Sequence, residues 1–258
     1  MDRKCFILAS TRDRIHLLNR FVESAKESRY MGCEFFLYYQ GEEADVERKD
    51  FFSDIIFDNR LRGVFTPRYE LLKRYGVNYE FSIILDDDLR MTKATSYEHG
   101  IGEIRKNPKI GAVSLAQYKK TSSRFELAKR GMRFSILGGL ILPKKSVCLI
   151  LDYFKDKEKD YSEDDAFWLI PYIKGYDLYL DSTSYALHGG KEKDENGQHT
   201  GFLKSWLEMP FVPTLEEWTT LSEIKKEDKT ALKIKGLAGV NEKGLAERER
   251  CRKALGFD

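Results

Sequence analysis

Long apolar runs are missing from this 258-residue chain. A bilayer-spanning helix needs about 18 or more consecutive apolar residues. The longest candidates, 136–142 and 147–151, are broken or bounded by Gly138, Gly139, Pro143, Lys144 and Lys145. Cysteine is scarce and dispersed: Cys5, Cys33, Cys148 and Cys251 form no CxxC pair, which argues against a zinc ribbon or a disulfide scaffold and for reduced thiols in a cytoplasm. The first five residues run straight into a strand-like segment, with neither the apolar core nor the small-residue cleavage site of a signal peptide. No Walker A spacing occurs, and Gly100-x-Gly102 lacks the third glycine and preceding strand of a dinucleotide fingerprint. Internal repeats and low-complexity blocks are absent too. An excess of one charge is also lacking, since 44 Lys and Arg face 42 Asp and Glu for a net +2. With 16 Phe, 14 Tyr and 41% hydrophobic residues, the composition is that of a folded soluble protein with a sizeable core.

What is present is an alternation of strand-like and helix-like patterns. Residues 4–9 form a short apolar run ending in Ser10 and Thr11, residue types that cap helices well. Over 13–30, Ile15, Leu18, Phe21, Val22 and Ala25 share one helical face. Strand-like runs follow at 33–39, 54–57 and 81–85, the last two separated by a helix at 66–75 with Pro67 in its first turn. Further on, 95–106 and 164–174 are helical, while 110–115, 178–180 and 185–188 are extended. Near-continuous apolar strands separated by helices predict an α/β fold with a largely parallel sheet. The expected organisation is a main domain over 1–210 and a helical, basic appendage over 211–258, with a helix near 215–226. The polar stretch 189–201 has the composition of a surface loop or a lid.

Two acidic triplets carry the chemistry. Asp86-Asp87-Asp88 directly follows the fourth strand, and ligands of open α/β sheets bind beyond the carboxyl ends of strands. Three adjacent carboxylates repel one another unless a cation or water lies between them. The triplet is therefore a divalent-cation site or a solvated turn, and its position favours the cation. Glu163-Asp164-Asp165 opens a helix, where acids either complement the macrodipole or do chemistry. His188, before Gly189-Gly190, is a metal ligand or a core histidine.

In order along 4–190, these features resemble the GT-A glycosyltransferases, a nucleotide-sugar-dependent family with a Rossmann-like sheet and a DxD motif. Ser10-Thr11-Arg12-Asp13-Arg14 resembles that family's first-strand nucleotide loop. Arg68 sits where the family has an arginine near the diphosphate. Asp86-Asp87-Asp88 matches the DxD, and Glu163-Asp164 through Gly175-Tyr176 resembles the acidic pair, helix and closing Gly-Tyr. Gly138-Gly139 looks like the acceptor-side glycine pair. The resemblance implies a single mixed, mostly parallel sheet flanked by helices. It implies Ser10, Thr11, Arg14, Arg68, Asp86 and Asp87 around the nucleotide sugar, and Asp88, His188 and Asp86 around Mn²⁺ or Mg²⁺. Asp164 is then the base if the enzyme inverts, with Glu163 orienting acceptor or sugar; if it retains configuration, Asp164 instead holds sugar hydroxyls.

For the acceptor, the segment 119–145 holds eight basic residues (Lys119, Lys120, Arg124, Lys129, Arg130, Arg133, Lys144, Lys145) against the single acid Glu126, a local +7. Such a stripe suits a polyanion, nucleic acid above all, or is a solvated face without a partner. The leading expectation is a metal-dependent glycosyltransferase using a UDP-sugar, with Gly138, Gly139, Lys129, Arg130 and Arg133 on the acceptor side. Hydroxymethylated or already glycosylated DNA is one such acceptor, in the host cytoplasm if the enzyme is phage-encoded. A cell-surface glycan as acceptor, a nucleotidyltransferase, and a noncatalytic nucleic-acid-binding protein are the alternatives. Phe125, Phe134, Trp168 and Trp206 are the aromatics available to a flipped base, or belong to the core.

Overall fold

The computed structural model describes residues 3–60, 62, 65–116, 123–128, 136, 138–155 and 166–188. Glu163, Asp164, Lys129, Arg130, Arg133, Phe134, Trp206, the stretch 189–201 and the expected appendage 211–258 lie outside the described residues. The chain begins with β1 (Lys4–Thr11), a 3-10 turn (Arg12–Arg14) and α1 (Ile15–Glu27). It continues through β2 (Glu34–Gln40), β3 (Asp54–Phe57), α2 (Phe65–Arg74) and β4 (Phe81–Asp86). Then come β5 (Leu89–Arg90), α3 (Glu98–Lys106), β6 (Ile110–Ala116), β7 (Phe125–Leu127) and β8 (Leu140–Pro143). The last elements are α4 (Lys144–Phe154), α5 (Ala166–Ile173), β9 (Asp177–Tyr185) and β10 (Leu187–His188).

Eight strands make one sheet in the order β3-β2-β1-β4-β8-β6-β9-β7, and β5 pairs with β10 in a two-stranded ribbon. The first four are parallel, β8 runs against both β4 and β6, β6 and β9 are parallel, and β7 closes the edge antiparallel to β9. The sheet is thus mixed and mostly parallel, as expected.

Side-chain alternation divides its two faces. In β1, Cys5 and Ile7 join one cluster with Leu71, Leu72, Val147, Ile150 and Phe167, from α2, α4 and α5. Phe6 and Leu8 point into the other, with Leu18, Phe21 and Val22 of α1 and Tyr97, Ile101 and Ile104 at α3. Helices on both faces explain why the central strands read as continuous apolar runs rather than alternating ones. Phe6 stacks on Phe35 of the neighbouring β2 at 4.5 Å between centroids. Trp168 is wholly buried in the first cluster, so it is a core residue and not a platform for a flipped base. Among the described residues no helix is long and apolar enough to cross a membrane.

The helix expected over 13–30 forms only at 15–27, because the chain first passes through the 3-10 turn. At the end of α5, the N–H groups of Gly175 and Tyr176 return to the carbonyls of Tyr172 and Pro171, a Schellman closure with Gly175 at φ +85°. That closure is the physical content of the Gly-Tyr pair in the sequence.

Candidate active site

Register places the site. Ser10 lies opposite Tyr39, Thr11 opposite Gln40, and Ala9 opposite Asp86. The carboxyl ends of β1, β2 and β4 therefore finish side by side, and the Asp87-Asp88 turn follows immediately. Because β8 is antiparallel to β4, with Ile84 facing Leu140, the preceding Gly138-Gly139 lies at this same end. In the ribbon, His188 pairs with Leu89, so its backbone is one residue from Asp88 across the strands; its side chain lies outside the described residues. That ribbon is tied down by Thr95, whose hydroxyl donates to the Tyr185 carbonyl at 2.8 Å, and by Ala186 N–H, which donates to Ala116 O at 3.1 Å.

The three carboxylates meet two guanidinium groups. Arg68 reaches up from α2, buried, and its Nη2 donates to Asp86 Oδ1 at 2.6 Å and to the Leu85 carbonyl at 3.1 Å. Arg14, on the 3-10 turn after β1, sets its Nη2 2.7 Å from Asp87 Oδ1 and 3.1 Å from Asp88 Oδ2. Ser10 Oγ donates to the other oxygen of Asp87 at 2.6 Å. Asp87 and Asp88 are only 3% and 5% exposed, and buried carboxylates persist only when paired and hydrogen-bonded. Burial by itself disfavours the charge on Arg14. Asp87, Asp88 and Asp86 nevertheless raise its pKa above the ordinary arginine value, with Arg68 opposing them.

This arrangement corrects one sequence expectation. Ser10 and Thr11 do not cap the following helical turn: no side-chain cap bond forms there, Ser10 is committed to Asp87, and the buried Thr11 Oγ1 makes no hydrogen bond. The Ser10 hydroxyl orients a carboxylate in place of capping.

Gly138 and Gly139 are glycines for steric reasons. A Cβ on Gly138 would stand 2.2 Å from the Ala116 carbonyl oxygen, and Gly139 has φ +126° with Tyr97 and Leu85 side chains against it. Tyr97, buried under them, donates its hydroxyl to the Gly138 carbonyl at 2.8 Å. Tyr97 and Thr95, which brace the site, fall within the helix expected over 95–106, but that helix begins only at Glu98, and nothing in their spacing marks the bracing role. Gln40, at the end of β2, is buried and accepts the Arg62 N–H at 2.5 Å, a second contact that spacing does not reveal.

The basic stripe does not stay in one place. Pro143 pairs with Phe81 at the opposite end of β4, so Lys144 and Lys145 lie at the end of the sheet away from the carboxylates. There Lys145 donates to the Pro108 carbonyl and sits 4.4 Å over the Tyr176 ring. Ala116 and Arg124 are at the site end, whereas Ala128 N–H bonds Leu178 O, well down β9.

A metal ion is chemically compatible with the turn. Hard divalent cations take oxygen donors, and the turn offers adjacent carboxylates with the His188 backbone beside them. Among the described residues, however, no group of three or more His, Cys, Asp or Glu already converges as a metal cluster; the carboxylates face arginines instead.

No protein-family model matches the chain, and no curated protein matches it in sequence. Solved structures match it in fold. A TarS fragment from S. aureus, residues 1–349 in complex with UDP-GlcNAc, superposes with a TM-score of 0.56 at 13% identity, over 87% of this chain and 66% of that one. The chain thus spans slightly less than two thirds of that fragment. The mannosyltransferase PcManGT from Pyrobaculum calidifontis, in complex with GDP-Man and Mn²⁺, superposes with a TM-score of 0.55 at 16% identity, over 99% of this chain and 81% of that one. The architecture they share with this chain is the GT-A glycosyltransferase fold.

Proposed function

We propose that the chain is a metal-dependent glycosyltransferase that moves a sugar from a nucleotide-sugar donor, a UDP-sugar first among candidates, to an acceptor hydroxyl. The observation that carries this reading is the carboxylate turn Asp86–Asp88 at the end of β4. It lies flush with the ends of β1 and β2, in a fold also seen with UDP-GlcNAc and with GDP-Man and Mn²⁺ bound.

Asp88, with Asp86 and His188, would hold Mn²⁺ or Mg²⁺. Such an ion supplies Lewis-acid stabilisation of the charge that gathers on a departing diphosphate. Thr11, whose buried hydroxyl makes no hydrogen bond, has the capacity to meet the nucleotide. Ser10 and Arg14 fix Asp87, and Arg68 fixes Asp86 toward the ribose side. Fixed dipoles and charges of this kind favour the transition state because they need no reorganisation as charge develops. In an inverting reaction Asp164 would accept the proton of the attacking acceptor hydroxyl, with Glu163 orienting acceptor or sugar. Gly138 and Gly139 let the backbone before β8 come close to the site from the acceptor side. Lys129, Arg130 and Arg133, with the other basic residues of 119–133, are assigned to a polyanionic acceptor, such as hydroxymethylated or already glycosylated DNA.

The test is thermal stability with UDP, GDP, CDP and dTDP, each with and without Mn²⁺ or Mg²⁺. A ligand that binds only the native state stabilises by about 2.7 kcal/mol at 100 times its Kd. One nucleoside diphosphate is expected to raise the Tm only together with metal, and Asp88→Ala to abolish that rise while keeping the ligand-free Tm within a few degrees. No shift with any of the four overturns the reading and leaves nucleic-acid binding as the alternative.

A further inference from the structure

We propose that Arg14 is a resident counter-ion of the carboxylate turn, which must yield Asp88 to an incoming divalent cation and thereby makes cation and nucleoside diphosphate bind as a cooperative pair. This rests on the metal reading above. One nitrogen, Arg14 Nη2, touches both Asp87 Oδ1 at 2.7 Å and Asp88 Oδ2 at 3.1 Å, while Ser10 Oγ locks the remaining oxygen of Asp87. Asp87 is thus held from two sides, and the contact of Arg14 with Asp88 is the longer of its two. The Arg14 side chain is 17% exposed and the two carboxylates 4% and 2%, so water screens little of what happens between them.

Charge balance sets the coupling. Among the described residues, three carboxylates and the guanidinium groups of Arg14 and Arg68 leave one negative charge on the cluster. A divalent cation arriving alone turns that into one positive charge, with a guanidinium against it. A nucleotide sugar arriving alone, with two ionised phosphates, makes it three negative. The two together restore the single negative charge, so each removes the penalty the other meets. By linkage, whatever the nucleotide does for the cation the cation does equally for the nucleotide. Arg14 keeps Asp87 throughout, which leaves its guanidinium on the turn to face the diphosphate once Asp88 is released.

The experiment is Mn²⁺ titration of the full chain, read by the electron-spin resonance of free Mn²⁺, alone and with saturating UDP or GDP. Alongside the unmodified protein, Arg14→Gln removes the charge and Arg14→Lys retains it. In the unmodified protein the nucleotide should tighten Mn²⁺ binding about tenfold or more, within the usual range of two-ligand coupling. Arg14→Gln should bind Mn²⁺ alone more tightly and show a several-fold smaller nucleotide effect, whereas Arg14→Lys should keep most of it. The role of Arg14 is overturned, with the metal reading intact, by an undiminished nucleotide effect in Arg14→Gln. Weaker Mn²⁺ binding in Arg14→Gln under both conditions overturns it equally. Should Arg14→Gln fail to fold, the unmodified protein still decides, because Mn²⁺ binding equally tight with and without nucleotide refutes the coupling. No Mn²⁺ binding by any form, with either nucleotide, overturns the metal reading itself.

Discussion

Asp58, just past β3, is held by a dense set of hydrogen bonds. Its Oδ1 accepts from the Arg60 backbone and Nε, both at 3.0 Å, and its Oδ2 accepts from Tyr38 Oη at 2.8 Å and Arg62 Nε at 2.7 Å. Burial pushes this carboxyl upward, but the bonds from Arg60, Tyr38 and Arg62 outweigh it and hold its pKa well below the ordinary carboxylate range. A depressed folded-state pKa contributes stability that is complete above the unfolded value of 3.8 and fades as pH falls below it. Asp58→Asn should therefore cost about 1 kcal/mol at neutral pH, a modest figure because Arg60 is largely exposed and water competes for it. The gap between variant and unmodified protein should narrow as pH is lowered from about 4 toward 2, measured by urea denaturation along the series. A gap constant through that range would remove Asp58 from the acid limb of stability.

At the scale of elements, the entry into β8 is the tightest backbone passage beside the site. Adding one methyl to Gly138 drives it into the Ala116 carbonyl, which belongs to β6 and cannot rotate away as a side chain would. Gly138→Ala should destabilise by about 1–3 kcal/mol, the range of overpacking. A methyl added to Gly102, within α3, would meet nothing within 4 Å, so Gly102→Ala should be neutral or stabilise by up to about 1 kcal/mol through helix propensity. Equal Tm values for the two variants would refute the steric account. The same contrast marks what is legible in sequence. Strands β1 to β4 and helix α2 are readable because long apolar runs bounded by polar residues state their own limits, and Asp54–Phe57 is legible to the residue. The antiparallel insertion of β8 is not, since a strand buried on both faces reads alike in either direction. Nor is the β5–β10 ribbon, where two residues per strand carry no periodicity. Within the site, the position of Asp86–Asp88 at a strand end is legible; the Arg14 contact is not, because a charge pair between β1 and β4 depends on strand order.

Charge over the whole molecule is where local sequence misleads most. The +7 of 119–145 is contiguous in the chain but not in the fold. Since β8 runs from the site end to the opposite end, Lys144 and Lys145 are carried a full strand length from Asp86, where Lys145 meets the Pro108 carbonyl and the Tyr176 ring. Lys119 and Lys120 lie outside the described residues, whereas Arg124 returns to the sheet opposite Ser182, at the carboxylate end. A polyanion lying over the site can meet Arg124 and not Lys144 or Lys145. Each phosphate contact contributes roughly 0.9 to the slope of log affinity against log salt. For binding to a short DNA duplex, replacing Lys119, Lys120 and Arg124 by Ala should reduce that slope by up to about 3, whereas replacing Lys144 and Lys145 should leave it unchanged. If both sets reduce the slope alike, the DNA lies along the chain's charge without regard to the site, as on a nonspecific basic surface. If neither does, these five side chains are a solvated face, and any polyanion contact falls to Lys129, Arg130 and Arg133 or is absent.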